Sequence, residues 1–555
     1  MRLLASIGRL VAGAALAALV WSSCAKVGAP PGGPEDKTGP SLIEFYPENN
    51  AVLVPRRMTA RLVFSEPVNR SSVEAALFLS PDPRQRVRYR WRGRELDLIF
   101  LDSLEAERTY VISVGSQAKD LRGNPAGNTS TIAFSTGEHI DRGRIDGWLT
   151  GVKSAQAVSL WAYALGTDSL VNPAWWNADY RLQADQDGNF RFEHIRAGRY
   201  RVFAVEDRNQ DGYWNPPAER LGIPPWDVSV TDTTMPWVSF RPAEFDTVPA
   251  RIHNVRAVDQ RQIDVRMNRP VASLRAGLLG ESGDSVGIVD AYPDTSGGDV
   301  WHVFAVDTLS PGRWWLTASG ADIFGSRWHD RDSVEVRARL DTTRPHILET
   351  VPRNRTTVTR VPDTLALIFD EPVTISADIA ASFRLISGGA DTMLLAGIHR
   401  APRIVTFAPA PPLQAAKSYT LLLAASAIHD ASGNAAGDSL LSFSFNILSP
   451  DSLGTLVGRI SGDLQAPYLV TALTLRDREI AGRTTVSGAS EFDIRLLAAG
   501  LYLVEVIGDR DHNGEFTYGS IKPLQMSEPF LFLPDTVTIR ARWESEVRIE
   551  WPPNP

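Results

Sequence analysis

The sequence predicts an all-β protein built as tandem β-sandwich modules in an elongated array, and three observations carry that prediction. "GPSLIEFYPENNAVLVPRRMTARLVFSEPV" at 39–68 and "RPHILETVPRNRTTVTRVPDTLALIFDEPV" at 344–373 match without a gap, and internal self-similarity marks modules. Short alternating segments such as Ala60, Leu62 and Phe64 recur between Pro, Gly and Asn clusters at the spacing of about 8–12 residues typical of sandwich strands. After residue 23 no stretch sustains the 3.6-residue apolar period of a long helix.

Taken in chain order, the first element is a leader. Arg2 and Arg9 precede an uninterrupted apolar and small-residue run from Leu10 to Trp21, and Ser22-Ser23 supply the small side chains of a cleavage site. The run is shorter than the roughly 20 apolar residues that a bilayer core demands, so residues 1–23 read as a signal peptide. The junction Ser22-Ser23-Cys24 resembles the lipobox of bacterial lipoproteins, departing from it at Trp21, where a leucine-like residue is usual. The resemblance implies that Cys24, the only cysteine of the 555 residues, becomes the acylated first residue. Several acyl chains together make a stable anchor. Ala25 stands where an aspartate would retain the protein at the inner membrane, so the resemblance implies outer-membrane sorting. Residues 24–38, with Pro30, Pro31, Gly32, Gly33 and Pro34, form an extended tether.

The repeated block occupies residues 39–137 and 342–447, pairing Pro47 with Pro352, Asn49 with Asn354, and Glu66-Pro67-Val68 with Glu371-Pro372-Val373. A worn third copy spans 246–340, where Arg269 stands in place of the glutamate. These blocks resemble bacterial Ig-like modules of the surface-layer type. A second repeat fills 140–245 and 454–555: "FRFEHIRAGRYRVFAVEDRNQDG" at 190–212 aligns with "FDIRLLAAGLYLVEVIGDRDHNG" at 492–514, pairing Gly198 with Gly500, Tyr200 with Tyr502, and Asp207 with Asp509. It resembles the carboxypeptidase regulatory, transthyretin-like β-sandwich, and such a likeness imports no peptidase activity. With one cysteine there is no internal disulfide, so the modules rely on their cores. Five modules on short linkers predict a semi-rigid rod.

The charge excludes one partner class. A formal net charge of −8, made more negative by loss of Arg2 and Arg9 with the leader, disfavours nucleic acid. The partners expected are a membrane, through the anchor, and an envelope protein or glycan. Nine scattered histidines and the absence of His-Glu-x-x-His, Gly-x-Ser-x-Gly or a phosphate-binding Lys loop point away from an enzyme.

Two constellations remain as candidate sites. Asp207-x-Asn209-x-Asp211-Gly212, extended by Asn215, and Asp509-x-Asp511-x-Asn513-Gly514 place oxygens on alternate residues before a glycine. Calcium is the expected cofactor, because it takes six to eight hard oxygen ligands and loop positions 1, 3 and 5 with glycine at 6 supply half of them. The glutamate usual at position 12 is missing, with Glu219 one place late in the first copy and no counterpart in the second. The competing reading is a cluster of Asx turns capping their own backbone. Of the 15 tryptophans, 11 lie between Trp148 and Trp328, and most are expected to fill cores. Trp175 and Trp176, in an extension at 166–179 that the other copy lacks, are expected to be exposed and to offer a stacking surface. Function therefore divides between a lipid-anchored envelope spacer, scaffold or adhesion module and a glycan- or peptide-binding surface lipoprotein that uses the Trp175-Trp176 loop.

Overall fold

The computed structural model describes residues 37–81, 87–166, 170–245, 249–294, 298–322, 325–375, 382–388, 391–462, 467–487 and 490–551. The leader and Cys24 lie outside them. The fold is all-β, in tandem sandwiches. The first module packs the sheet Leu42–Tyr46, Thr59–Phe64, Glu95–Phe100, Val87–Arg92 against Leu77–Ser80, Thr109–Val114, Ser130–Ser135. Alternation places Leu62, Phe64, Leu96, Leu98, Ile112 and Phe134 between the layers. Its short helix, Arg70–Ala75, starts where Asn69 caps the Ser72 N–H.

The fourth module repeats this plan, with the strand Asp391–Ala401 running from one layer into the other so that eight strands form a continuous path. The structure explains why the repeat keeps its motif residues. Asn49 Oδ1 accepts the Ala133 N–H at 2.9 Å, and Asn354 Oδ1 accepts that of Ser444 at 3.0 Å. Each asparagine thus ties the entry loop to the module's last strand. The third module is also two four-stranded sheets, filled by Trp301, Trp314 and Trp328 as expected for most of the tryptophans.

The second and fifth modules share one topology. A three-stranded layer pairs its first and last strands in parallel, Gly143–Leu149 with Trp237–Phe240 and Leu453–Ser461 with Glu544–Glu550. It faces a layer centred on Gly198–Val205 or Gly500–Gly508. The paired Gly-x-Tyr motifs have one purpose. Tyr200 and Tyr502 each send a hydroxyl to the carbonyl four residues back, of Arg196 and Ala498, both at 2.8 Å. This pins the hairpin that feeds the central strand.

Modules 1 and 2 are tied at their joint. Arg181 N–H donates to Ser80 Oγ at 3.0 Å and Ser116 Oγ to the Ala184 carbonyl at 3.1 Å. The array is not a rod in which each module touches only its chain neighbours, however. Module 5 returns to module 2: Ser239 Oγ donates to the Phe530 carbonyl at 2.8 Å, and Trp148 packs edge-on to Phe532 at 5.8 Å. A sequence repeat reveals modules but carries no signal for a contact between faces that lie 291 residues apart.

Candidate functional site

Both Asp-rich loops leave the end of their module's central strand. Asp207 Oδ2 accepts the Gly212 N–H at 3.2 Å, and Asp509 Oδ2 accepts that of Gly514 at 3.1 Å. Gly212 and Gly514 hold φ of 78° and 75°, the left-handed conformation that glycine takes without steric cost. A buried glutamate closes each loop from beneath. Glu219 Oε1 takes the Arg208 N–H and Oε2 the Asn215 N–H, both at 2.9 Å. Glu528 does the same for Arg510 at 2.6 Å and Thr517 at 3.0 Å.

Glu528 corrects the expectation that the second loop has no counterpart glutamate. Sequence spacing hides it, because four positions separate Asn215 from Glu219 whereas eleven separate Thr517 from Glu528. The hairpin Ser520–Gln525 fills the difference. The available signal was the loop's own chemistry: N–H groups turned inward by left-handed residues need an acceptor, and a carboxylate a few residues downstream supplies one.

The two loops differ in what they leave open. In the first, Asp207 Oδ1 is buried with no hydrogen-bond partner, and burial, followed by the neighbouring Glu219, pushes the Asp207 carboxyl above its usual range. The Asp211 carboxyl is held low in spite of burial, by the Tyr213 N–H and the amides of Asn215 and Asn209. Asn215 turns its amide nitrogen to Asp211 Oδ2 and to the Tyr213 carbonyl. In the second, oxygens of Asp509, Asp511 and Glu528 lie within 4.8 Å of one another, while Asn513 Nδ2 donates to Asp511 Oδ2 at 3.0 Å. Arg181 and Arg483 reach the carbonyls of Gly212 and Gly514. Both sites offer only hard oxygens, the donor set of calcium. The orphaned Asp207 oxygen fits a cation, and the amides turned onto the aspartates are the Asx contacts of the competing reading.

The Pro-Val of the Glu-Pro-Val motif meets an aspartate in each of the three copies. Val68, Val271 and Val373 bridge Asp120, Asp322 and Asp430 respectively. Asp120 Oδ1 accepts the Asn124 N–H at 2.7 Å and Asp430 Oδ1 that of Asn434 at 2.8 Å, so the aspartate closes the Asp-x-x-Gly-Asn turn of each ending. Residues 36–136 and 341–446 match the model of the bacterial Ig-like domain.

The third module lies outside those matches and differs at the aligned position. Its Arg269 forms a buried ion pair with Asp322 at 2.5 Å. The Ig-like module at 341–446 keeps Glu371 at the same position, facing Asp430. Burial, then Asp430 and Asp341, push the Glu371 carboxyl up to about 9. This cluster lies at the joint with the third module, whose Tyr292 hydroxyl donates to the Asp370 carbonyl and whose Asp290 pairs with Arg403 at 3.4 Å.

Similarity to solved structures is low in identity and in TM-score. The N-terminal part of the bacterial S-layer protein SbsC is 12% identical, with a TM-score of 0.15 over 36% of this chain and 45% of that one. LD transpeptidase LdtMt1 in complex with imipenem is 16% identical, TM-score 0.14, over 24% and 57%. Dimeric latent PorU from Porphyromonas gingivalis is 9% identical, TM-score 0.24, over 56% and 35%. The chain therefore spans less than two thirds of each, and overlaps at this level convey no function. Comparison with curated proteins gives no match.

Trp175 and Trp176 are exposed, at 64% and 45%. Trp175 does not stand alone: Lys522 Nζ of module 5 sits 4.5 Å from its ring centre. Among the described residues no helix is long and apolar enough to cross a membrane.

Proposed function

We propose that this protein is a lipid-anchored component of the outer membrane, with Cys24 as the acylated residue, acting as a non-catalytic spacer, scaffold or adhesion module. The observation that carries the reading is the order of parts: a Ser22-Ser23-Cys24 junction, a Pro/Gly tether, then tandem β-sandwich modules whose shared motifs, the capping Asn49 and Asn354 and the Tyr200 and Tyr502 hydroxyls, all serve to hold shape. The second and fifth modules fit the transthyretin-like class. Calcium has a structural role in this reading, stiffening the Asp207 and Asp509 loops, and the buried orphan oxygen of Asp207 favours the first of them. A glycan- or peptide-binding role rests on the exposed Trp175-Trp176 pair alone. Fractionation decides the main reading: wild type should partition with outer membranes and Cys24→Ala should leave them. Protease treatment of intact cells then assigns the face, and an unchanged distribution of Cys24→Ala refutes the anchor.

A further inference from the structure

The second and fifth modules are copies whose working positions correspond in the fold: Asp207 with Asp509, Glu219 with Glu528, Arg181 with Arg483, Tyr200 with Tyr502. They differ chiefly in two segments. Module 2 carries the extension 166–179, and module 5 carries the hairpin Ser520–Gln525 between its loop and Glu528. In the folded chain the described part of the first, through Val171 and Trp175, meets the second. Tyr518 and Ile521 pack onto the cluster of Trp161, Val171, Trp214 and Phe245 on module 2, and Lys522 covers Trp175.

The rest of the contact is polar and specific. Arg241 of module 2 forms an ion pair with Glu505 of module 5, with its guanidinium carbon 4.4 Å from the Phe516 ring centre. Arg510 returns the contact, donating to the Pro225 carbonyl at 2.8 Å and covering Trp226 at 5.5 Å. The Ser527 N–H crosses to the Pro224 carbonyl at 3.2 Å. Interdomain faces are typically more polar than permanent ones, and this one mixes an ion pair and backbone hydrogen bonds with aromatic packing. Each module keeps its own core cluster besides.

We propose that modules 2 and 5 form a releasable latch, in which the hairpin Ser520–Gln525 is a built-in ligand for the Trp175 extension. Closed, the latch holds modules 3 and 4 as an arm fixed at both ends. Open, the same chain extends by the length of that arm, so the latch sets the reach of the protein from its point of attachment. The two main length differences between the repeats lie at one shared contact, which is what recognition in cis requires. A chance face would not concentrate both insertions at one contact.

The test uses the full chain carrying Cys24→Ser. Small-angle scattering reads its radius of gyration, and hydrogen exchange reads the Ser527 amide. Arg241→Glu is expected to raise the radius and remove protection at Ser527, and Arg241→Glu combined with Glu505→Arg is expected to restore both. A chain whose 518–527 segment is cut to the spacing found between Asn215 and Glu219 removes the ligand, with the Tyr518 and Ile521 side chains that pack on module 2, and its radius should rise equally. If Arg241→Glu loses its β circular dichroism, the shortened chain decides. Wild-type dimensions in the shortened chain, or failure of the charge exchange to restore a folded Arg241→Glu chain, overturns the proposal.

Discussion

Arg241 lies over the ring of Phe530, its guanidinium carbon 4.6 Å from the ring centre, although the two residues belong to modules separated by two others in the chain. Phe530 is fully buried there, against Trp148, Phe516 and Phe532. Removing a buried aromatic ring costs about 3–5 kcal/mol. Phe530→Ala should therefore lower the unfolding free energy of the intact chain, read by urea denaturation, by about that amount. A change within about 0.5 kcal/mol, the size of an ordinary surface substitution, would mean that the face is not formed in solution.

The module 3 and 4 joints make opposite predictions at one aligned position. Arg269→Glu would set a second carboxylate against buried Asp322, and breaking such a pair costs about 3–5 kcal/mol. Thermal unfolding should show the loss in the third module. A melting curve that matches wild type would place Arg269 outside the core contact.

Glu371 gives the pH dependence. Its carboxyl ordinarily titrates near 4.5 and is raised to about 9 in the fold, so between those values the folded chain keeps a proton that the unfolded chain has lost. Its contribution to stability is complete below the lower value and is lost as pH rises toward the upper one. Glu371→Gln keeps the neutral shape at every pH. It should melt higher than wild type at pH 8 and flatten the slope between pH 6 and 9, and an unchanged slope would show that the cluster carries no shared proton.

For calcium the same sign applies to Asp207, whose raised carboxyl makes the empty loop less favourable as pH rises. A cation reverses this by occupying Oδ1. Millimolar Ca²⁺ should raise the melting temperature by a modest amount, worth less than about 2 kcal/mol at the affinities of extracellular sites. Asp207→Asn should remove most of that gain. Calorimetry with no Ca²⁺-dependent heat in the wild-type chain would return both loops to plain Asx turns.

The fold was legible because each module repeats its own physics. Alternation at Ala60, Leu62 and Phe64 marks a strand, and the Asn49 and Asn354 caps and the Gly-x-Tyr hairpins are local devices whose partners come from the same module. Within the candidate sites, the Asp-rich loops were legible for the same reason. Glu528 was not, because a hairpin displaces it from the expected spacing, and the contact of Arg241 with Glu505 was not, because pairing across 264 residues leaves no periodic trace. The Trp175-Trp176 loop was found as an extension, but its neighbour Lys522 lies in the other copy's insertion, which repeat alignment treats as a gap.

The anchor is the claim on which the proposed function depends, and mass spectrometry of the mature N-terminal peptide tests it most directly. The account predicts a chain that begins at Cys24, with a diacylglyceryl thioether on Sγ and an acyl group on its amino terminus. An unmodified Cys24 thiol, or a mature chain beginning at another residue, would contradict it.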